Sequence, residues 1–267
     1  MHLPERDVSG TSTPVVKCAA MTHRRSTTHS RLLRIEDAST LREAARAASL
    51  AVERGFDGVE WLLPSPSVES ARILAPGGPM TGSVSEGGRV QALAARCETV
   101  DLAVATHQLT SLLAGAAAVG ALCLNITLPP VRADDEERGF ARYQDALNFA
   151  SALLAGLRWP AESNGVPVAL EAVVGGGLWS PSELREIIDA GSSWALGACV
   201  DVPCVSTVAA VADWLLTLKR RVHCVRAGEA TGSLDVQTLT HLLEEIRFTG
   251  PVVFRGCAAI AVDRSHP

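Results

Sequence analysis

The feature that most constrains the fold of this chain is a repeated unit, in which a short apolar run is followed by a longer amphipathic segment. In the second half, the apolar runs end at Glu171, Asp201, Arg226 and Arg255, which lie 30, 25 and 29 residues apart. This spacing is the length of one strand plus one helix, so four successive parallel strands would carry four polar side chains to one rim. The repeat therefore predicts a parallel α/β architecture with a polar end.

Eight strand candidates continue this rhythm along the chain. They lie near residues 15, 57, 101, 121, 166, 195, 221 and 251. Predicted helices between them include Thr40 to Arg54, ended by Gly55, a segment near 89–98, and a helix opened by the capping sequence at 180–183. Eight alternating strands and helices predict a single-domain (β/α)8 TIM barrel, with a doubly wound open sheet as the competitor. No G-x-G-x-x-G or P-loop sequence follows the first strand, which favours the barrel.

The predicted barrel covers residues 15–267, preceded by a flexible leader over 1–14 that is rich in Ser, Thr and Pro. The sequence VVKCAAMTH, from Val15, is predicted to be the first strand. Many Pro, Gly and Ser residues between 63 and 88 predict a long loop of the kind that covers substrates.

Composition narrows the classes of partner. The net charge of −5 and the lack of large basic clusters argue against nucleic acid. No apolar run reaches the ~18 residues that a membrane span needs, and the N-terminus does not resemble a secretory signal, so a cytoplasmic location is expected. The seven cysteines lack C-x-x-C pairs, which predicts buried thiols rather than disulfides.

Strand parity predicts what lies beneath the four rim residues. Alternate side chains of a strand share a face, so if Arg226 points into the barrel mouth, His223 points towards the helices as a structural residue. The same parity places one small or apolar residue beneath each rim residue, namely Ala169, Cys199, Cys224 and Val253. This pattern is typical of a packed barrel interior below a functional mouth.

The stretches VPVALEAVVGGGLWSPSEL, GACVDVPC, VHCVRAGEA and FTGPVVFRG resemble the xylose-isomerase-like TIM barrels, a superfamily of sugar-phosphate isomerases and epimerases, inosose dehydratases and endonuclease IV. The resemblance is good over the second half and looser over the first. It implies that a Glu, an Asp, a His and a final Glu on four successive strand ends hold one divalent metal, while the two Glu residues move protons. Glu171 and Asp201 match the first two of these ligands.

This chain departs from that pattern at the remaining positions. Arg226 stands where the resemblance implies the His, and Arg255 where it implies the last Glu. Cys204 and Asn125 occupy positions at which some members carry a further His. A guanidinium stays protonated and offers no lone pair to a metal, so we expect neither a metal site nor a cofactor.

Two roles are open for the arginines. Arg226 and Arg255 could pair with Glu171 and Asp201 as structural salt bridges that replace the metal. Alternatively, a guanidinium could stabilise an enolate or grip a substrate phosphate or carboxylate while Glu171 acts as a general base. We take all four residues as catalytic candidates on the second interpretation.

Further candidates for substrate contact stand at predicted strand ends and in the following loops. They are Glu60, Trp61, His107, Asn125, Trp179 and Cys204. For His107 and Cys204 the competing interpretations are a hydrogen-bonded structural histidine and an inert buried thiol.

Three functional hypotheses follow. The first is a metal-independent isomerase or epimerase, or a related lyase, that moves a proton on a small polar substrate, sugar-like or bearing a carboxylate or phosphate. The second is an inactive barrel that serves as a ligand-binding or partner-binding subunit. The third is a metalloenzyme with ligands from Glu60, His107, Glu171 and Asp201. The short segment after Arg255 leaves a barrel flank that a partner copy could cover, so a homo-oligomer is an open expectation.

Overall fold

Eight parallel strands close into a barrel in the computed structural model, which describes residues 29–35, 41–63, 90–131, 139–174, 177–178, 180–206, 210–228 and 236–255. The strands are β1 Arg31–Ile35, β2 Gly58–Leu62, β3 Val90–Arg96, β4 Cys123–Thr127, β5 Val168–Glu171, β6 Leu196–Asp201, β7 Val222–Gly228 and β8 Val252–Arg255. Each strand pairs with its sequence neighbours, and β1 closes the ring by pairing with both β2 and β8. The prediction of a single-domain (β/α)8 barrel is confirmed.

Seven α-helices connect the strands within the described ranges. They are α1 Leu41–Glu53, α2 Leu102–Ala118, α3 Tyr143–Asn164, α4 Pro181–Ala190, α5 Val202–Val205, α6 Val211–Leu218 and α7 Val236–Glu245. A two-stranded hairpin, Val173–Val174 with Gly177–Leu178, follows β5. None of the described helices is long and apolar enough to cross a membrane.

The predicted C-terminal end of α1 and both predicted ends of α4 are confirmed. Gly55 follows α1 with φ 85°, a left-handed conformation that glycine adopts at low cost. Ser180 caps α4 by accepting a hydrogen bond from the backbone N–H of Glu183, whose side chain accepts one in return from the backbone N–H of Ser180. Gly191 is the C-terminal cap of α4.

Two hydrophobic cores flank the strand ring. The larger lies between strands and helices, and the smaller fills the barrel interior with Leu32, Ala92, Cys123, Ala169, Cys199, Cys224 and Val253. The predicted parity is confirmed, since the four residues expected beneath the rim belong to this one interior cluster. Because most of these interior side chains are small, a layer of polar side chains can pack directly above them.

Three predictions for the first half of the chain are wrong. The barrel begins with β1 at Arg31 and not near residue 15. The segment near residue 15 lies outside the described residues. The predicted leader and the predicted 63–88 loop, except Leu63, also lie outside them. Residues 90–96 form β3 and not a helix, because a barrel strand is buried on both faces and loses the alternating pattern.

The segment DLAVATH is the start of α2 and not a strand. Asp101 caps this helix, with its Oδ1 accepting hydrogen bonds from the backbone N–H groups of Ala103 and Val104 at 2.9 and 3.0 Å. This is the hydrogen bonding that an N-cap aspartate provides, and it outweighs the strand preference of Val104. The helix carries His107 away from the barrel strands.

Candidate functional site

An ionic layer lies above the small interior residues, at the carboxyl ends of the barrel strands. Its described members are Arg34, Glu60, Asn125, Thr127, Glu171, Asp201 and Arg226. Alternate residues of a strand share a face, and each of these side chains follows an inward-facing residue of its own strand by an even number of positions. The number is four for Thr127 and two for the others, and Glu60 follows Gly58. In such barrels this end is the one at which active sites are built.

Arg226 is the centre of the layer. Its side chain has no exposed surface, and its guanidinium faces two carboxylates. Nε lies 3.2 Å from both oxygens of Glu60, Nη2 donates to Oε1 of Glu60 at 2.8 Å, and Nη1 lies 2.7 Å from Oε1 of Glu171. Burial alone would lower the pKa of Arg226, but the two carboxylates raise it well above its ordinary value. The arginine is therefore a fixed positive charge.

Glu60 holds the opposite side of this guanidinium and is also fully buried. It accepts a hydrogen bond from Asn125 Nδ2 at 2.5 Å and lies 3.3 Å from Arg34 Nη1. Burial would raise the pKa of Glu60, but Arg226 and Arg34 hold the pKa below its ordinary value. The carboxylate is thus ionised, and its contacts are with the protein interior.

Glu171 connects the buried charges to the mouth. It is 5% exposed, whereas Glu60, Asp201 and Arg226 are each 0% exposed. Its Oε1 faces Arg226, and its Oε2 accepts a hydrogen bond from the Thr127 hydroxyl. The two contacts hold the carboxylate in one orientation while leaving part of it accessible.

Asp201 completes the row of strand-end acids. It is fully buried at the end of β6 and stands beside Arg226 in the register of β6 and β7. Cys204 follows on α5, where it is half-buried. The predicted proximity of Arg226 to Glu171 is confirmed by the 2.7 Å contact.

Cys199 and Cys224, beneath the layer, are uncharged thiols. Burial raises the pKa of the Cys199 and Cys224 thiols well above its ordinary value. Cys224 accepts a hydrogen bond from Asn125 Nδ2 at 3.3 Å. The thiols therefore belong to the packed interior and offer no thiolate.

Two of the predicted substrate contacts, Trp61 and His107, lie outside the ionic layer. Trp61 alternates with Glu60 on β2, and its side chain is 2% exposed in the core between strands and helices. His107 is exposed on α2, because the segment that carries it is helical. The parity of β2 already assigns Trp61 and Glu60 to opposite faces. For Trp61 and His107, placement at the mouth is therefore wrong.

Two other predicted residues have side chains that lie outside the description. Arg255 ends β8, where its backbone pairs with Gly228, and only its side chain is left out, whereas the whole of Trp179 lies outside the described residues. Their contacts remain predictions.

Sequence reasoning missed Arg34 and Thr127. Arg34 stands two residues after the inward-facing Leu32, and Thr127 stands two residues after Asn125. The strand that carries Asn125 and Thr127 was predicted correctly, so the parity rule that identified Arg226 would also have found Thr127. Arg34 needed the first strand to be recognised at residue 31.

The described residues do not fit the divalent-metal cage that the family resemblance implies. They contain no group of three or more His, Cys, Asp or Glu side chains that could hold a metal ion. Beside Glu171 there is instead a guanidinium nitrogen at 2.7 Å, and a cation at that distance repels a second one.

Comparisons with known proteins give the fold. No protein-family model matches the chain, and no curated protein matches it. Among solved structures, 3-keto-D-glucoside 4-epimerase from E. coli superposes with a TM-score of 0.69 at 15% identity, covering 85% of this chain and 92% of that chain.

Two further structures illustrate the range of proteins that share the barrel. D-allulose 3-epimerase from Methylomonas sp. has a TM-score of 0.65 at 19% identity, covering 84% of both chains. An AP endonuclease of family 2 from Brucella melitensis has a TM-score of 0.62 at 13% identity, covering 84% of this chain and 92% of that chain. The chain therefore shares the (β/α)8 barrel fold of these structures.

Proposed function

We propose that this chain, built on the barrel of these sugar epimerases, is an isomerase or epimerase, or a related lyase, that moves a proton on a small polar substrate without a divalent metal. The observation that carries the proposal is the pair of Glu171 and Arg226, 2.7 Å apart at the carboxyl ends of β5 and β7. It puts a partly accessible carboxylate directly above a permanently charged, buried guanidinium.

Glu171 is the proposed general base. A carboxylate can take the proton from the carbon next to a carbonyl when it stands within hydrogen-bonding reach of that proton. Thr127 and Arg226 each bind one of its oxygens, so it is oriented before the substrate arrives. The nearby positive charge favours the ionised form of a carboxylate, which is the form that accepts a proton.

Arg226 supplies the electrostatic part of the mechanism. When a proton leaves carbon, negative charge develops on the neighbouring carbonyl oxygen, and a fixed positive charge in a buried site lowers the energy of that state. Arg226 is held by Glu60 on its far side, so it does not need to reorganise during the reaction. Arg255 keeps its predicted role as a second cation at the rim that grips a substrate carboxylate or phosphate.

The direct test is exchange of a substrate proton with solvent deuterium. Purified protein is incubated in D2O with a panel of ketohexoses and 3-keto sugars, with a chelator present, and loss of the carbon-bound proton is followed by NMR. We expect exchange with at least one sugar, and a loss of about 100-fold or more in Glu171→Gln.

The matched control is Glu53→Gln, which removes a carboxylate at an exposed position of α1 and should exchange at the wild-type rate. Full activity of Glu171→Gln would refute the role of the base. A stoichiometric divalent metal that is lost in Asp201→Ala would refute the metal-independent mechanism.

The alternative is a barrel that binds a small molecule or a partner without turning over a substrate. It is favoured by the complete burial of Glu60 and Arg226, whose charges satisfy one another as a structural ion pair would. Tight binding of a sugar without any deuterium exchange would support this alternative.

A further inference from the structure

The amino end of the barrel, opposite the ionic layer, carries a cavity of about 370 Å³. Part of its apolar lining comes from the residues that immediately precede three strands, namely Leu122, Pro167 and Pro251. A second cavity of about 510 Å³ adjoins it, and the two share Trp194, Arg220 and His223. These volumes are in the range of sites for small organic ligands.

An exposed aromatic ring stands between the two cavities. Trp194 lies in the turn between α4 and β6 and is 62% exposed, although it lines both cavities. An indole in this position offers a flat apolar surface to a planar ring. A single exposed tryptophan does not by itself indicate a binding site, but charged residues surround Trp194.

The first cavity is positively charged. Lys219, Arg220 and Arg247 line it, and none of the described residues that form its wall is an Asp or a Glu. In the adjoining cavity, Asp189 is neutralised by Arg221, whose Nη2 donates to Oδ2 at 2.6 Å. Three cations therefore gather on one face of a chain whose net charge is −5. Such a face attracts a small anion.

The backbone conformation of the turns at this end of the barrel indicates that side chains in these turns have a role. Three of the turns that lead from a helix into the next strand contain glycine with a positive φ, at Gly55, Gly120 and Gly165. In the turns after α4, α6 and α7 the residue with a positive φ is not a glycine but Ser192, Lys219 or Arg247, with φ 48°, 49° and 54°.

A positive φ is unfavourable for a residue with a Cβ atom, and glycine removes the strain. All three residues that bear this strain line the two cavities. Strained backbone positions of this kind cluster at ligand sites, where the side chain has a use that compensates for the strain.

We propose that the cavity of about 370 Å³ binds a nucleoside phosphate, with its base stacked on Trp194 and its phosphate held by Lys219, Arg220 and Arg247. The exposed indole suits the π-face of any base, and the three cations suit a phosphate. The site lies at the opposite end of the strands from Glu171 and goes beyond the proposed proton transfer.

The test is calorimetric titration of the full chain with AMP, adenosine and inorganic phosphate as separate probes. We expect AMP to bind roughly ten times more tightly than adenosine or inorganic phosphate, because only AMP makes both the stacking contact and the phosphate contact. Trp194→Ala should weaken AMP binding roughly tenfold or more and leave phosphate binding unchanged. The affinity for AMP should fall with added salt.

The most informative variant is Arg247→Gly. It removes one proposed phosphate contact and also relieves the positive φ, so the protein should unfold at the same temperature as the wild type or a higher one while AMP binding weakens. A loss of binding therefore cannot be ascribed to misfolding.

Trp159→Ala is the matched control, since Trp159 is 73% exposed on α3 and does not line either cavity. Glu171→Gln should bind AMP like the wild type, which separates this proposal from the proposed enzyme activity. The proposal is overturned if AMP binds no more tightly than phosphate, if Trp194→Ala and Trp159→Ala behave alike, or if Arg247→Gly binds AMP normally.

Discussion

Replacement of Arg226 by methionine tests whether the ionic layer holds the barrel together. Methionine has a similar length and no charge, so the change leaves Glu60 buried with two of its partners, Arg34 and Asn125, and without the guanidinium that contacts both of its oxygens. Removal of one partner from a buried ion pair costs about 3–5 kcal/mol, because the remaining charge is still out of water.

This loss is a large fraction of the about 5–15 kcal/mol by which a domain is stable. We therefore expect Arg226→Met to lower the free energy of unfolding by about 3 kcal/mol or more at pH 7.5. Urea denaturation followed by circular dichroism measures the change. Arg158→Met is the matched control, since Arg158 is 50% exposed and its pair with Glu162 at the surface should contribute at most about 1 kcal/mol.

The pH dependence separates an electrostatic loss from a packing loss. In the wild type the pKa of Glu60 is lowered, so its ionisation stabilises the fold above its ordinary pKa, and this stability is lost as pH falls through the lowered value. In Arg226→Met, burial raises the pKa of Glu60 instead, and protonation of Glu60 removes its buried charge.

The difference between wild type and Arg226→Met should therefore shrink as the pH falls from 7.5 towards 5. The double variant Glu60→Gln with Arg226→Met should recover part of the loss, since it removes the charge that was left unpaired. The reasoning is refuted if Arg226→Met loses no more unfolding free energy than Arg158→Met does, or if its loss is the same at every pH.

Two further predictions concern stability away from the mouth. Burial lowers the pKa of His223 to about 4, so the unfolded chain binds the proton more readily than the folded chain at acidic pH. Stability should fall as pH drops from about 6.5 to 4, by at most about 3 kcal/mol, and His223→Gln should flatten that slope in pH-dependent denaturation. Ser180→Ala removes the cap of α4 and should cost about 1 kcal/mol in the same assay, whereas Ser206→Ala, at an exposed position after α5, should be close to neutral.

The second half of the chain could be predicted well because its local signals agree with one another. Each strand there is a short apolar run, and the helix after β5 begins at a capping box and ends at Gly191. Parity along a strand then requires Arg226 and Cys224 to share a face, as do Glu171 and Ala169. These are short-range properties, and tertiary contacts did not override them.

The first half was harder because its local signals conflict with the fold. The strand Val90–Arg96 is rich in alanine and buried on both faces, so its pattern is that of a helix. The segment that begins at Leu102 contains Val104 and alternates weakly, yet Asp101 caps it as a helix. The exposure of His107 is a direct consequence.

The sequence by itself determined the barrel, the strands of its second half and the row of Glu171, Asp201, Arg226 and Arg255, because these follow from periodicity and from the length of one strand and helix. Tertiary structure alone decided which acid holds which cation. Arg226 binds Glu60, which lies 166 residues away in the chain, and only closure of the ring brings the two strands face to face across the interior. Local preferences act over a few residues, whereas the pairing of charges depends on the geometry of the whole barrel.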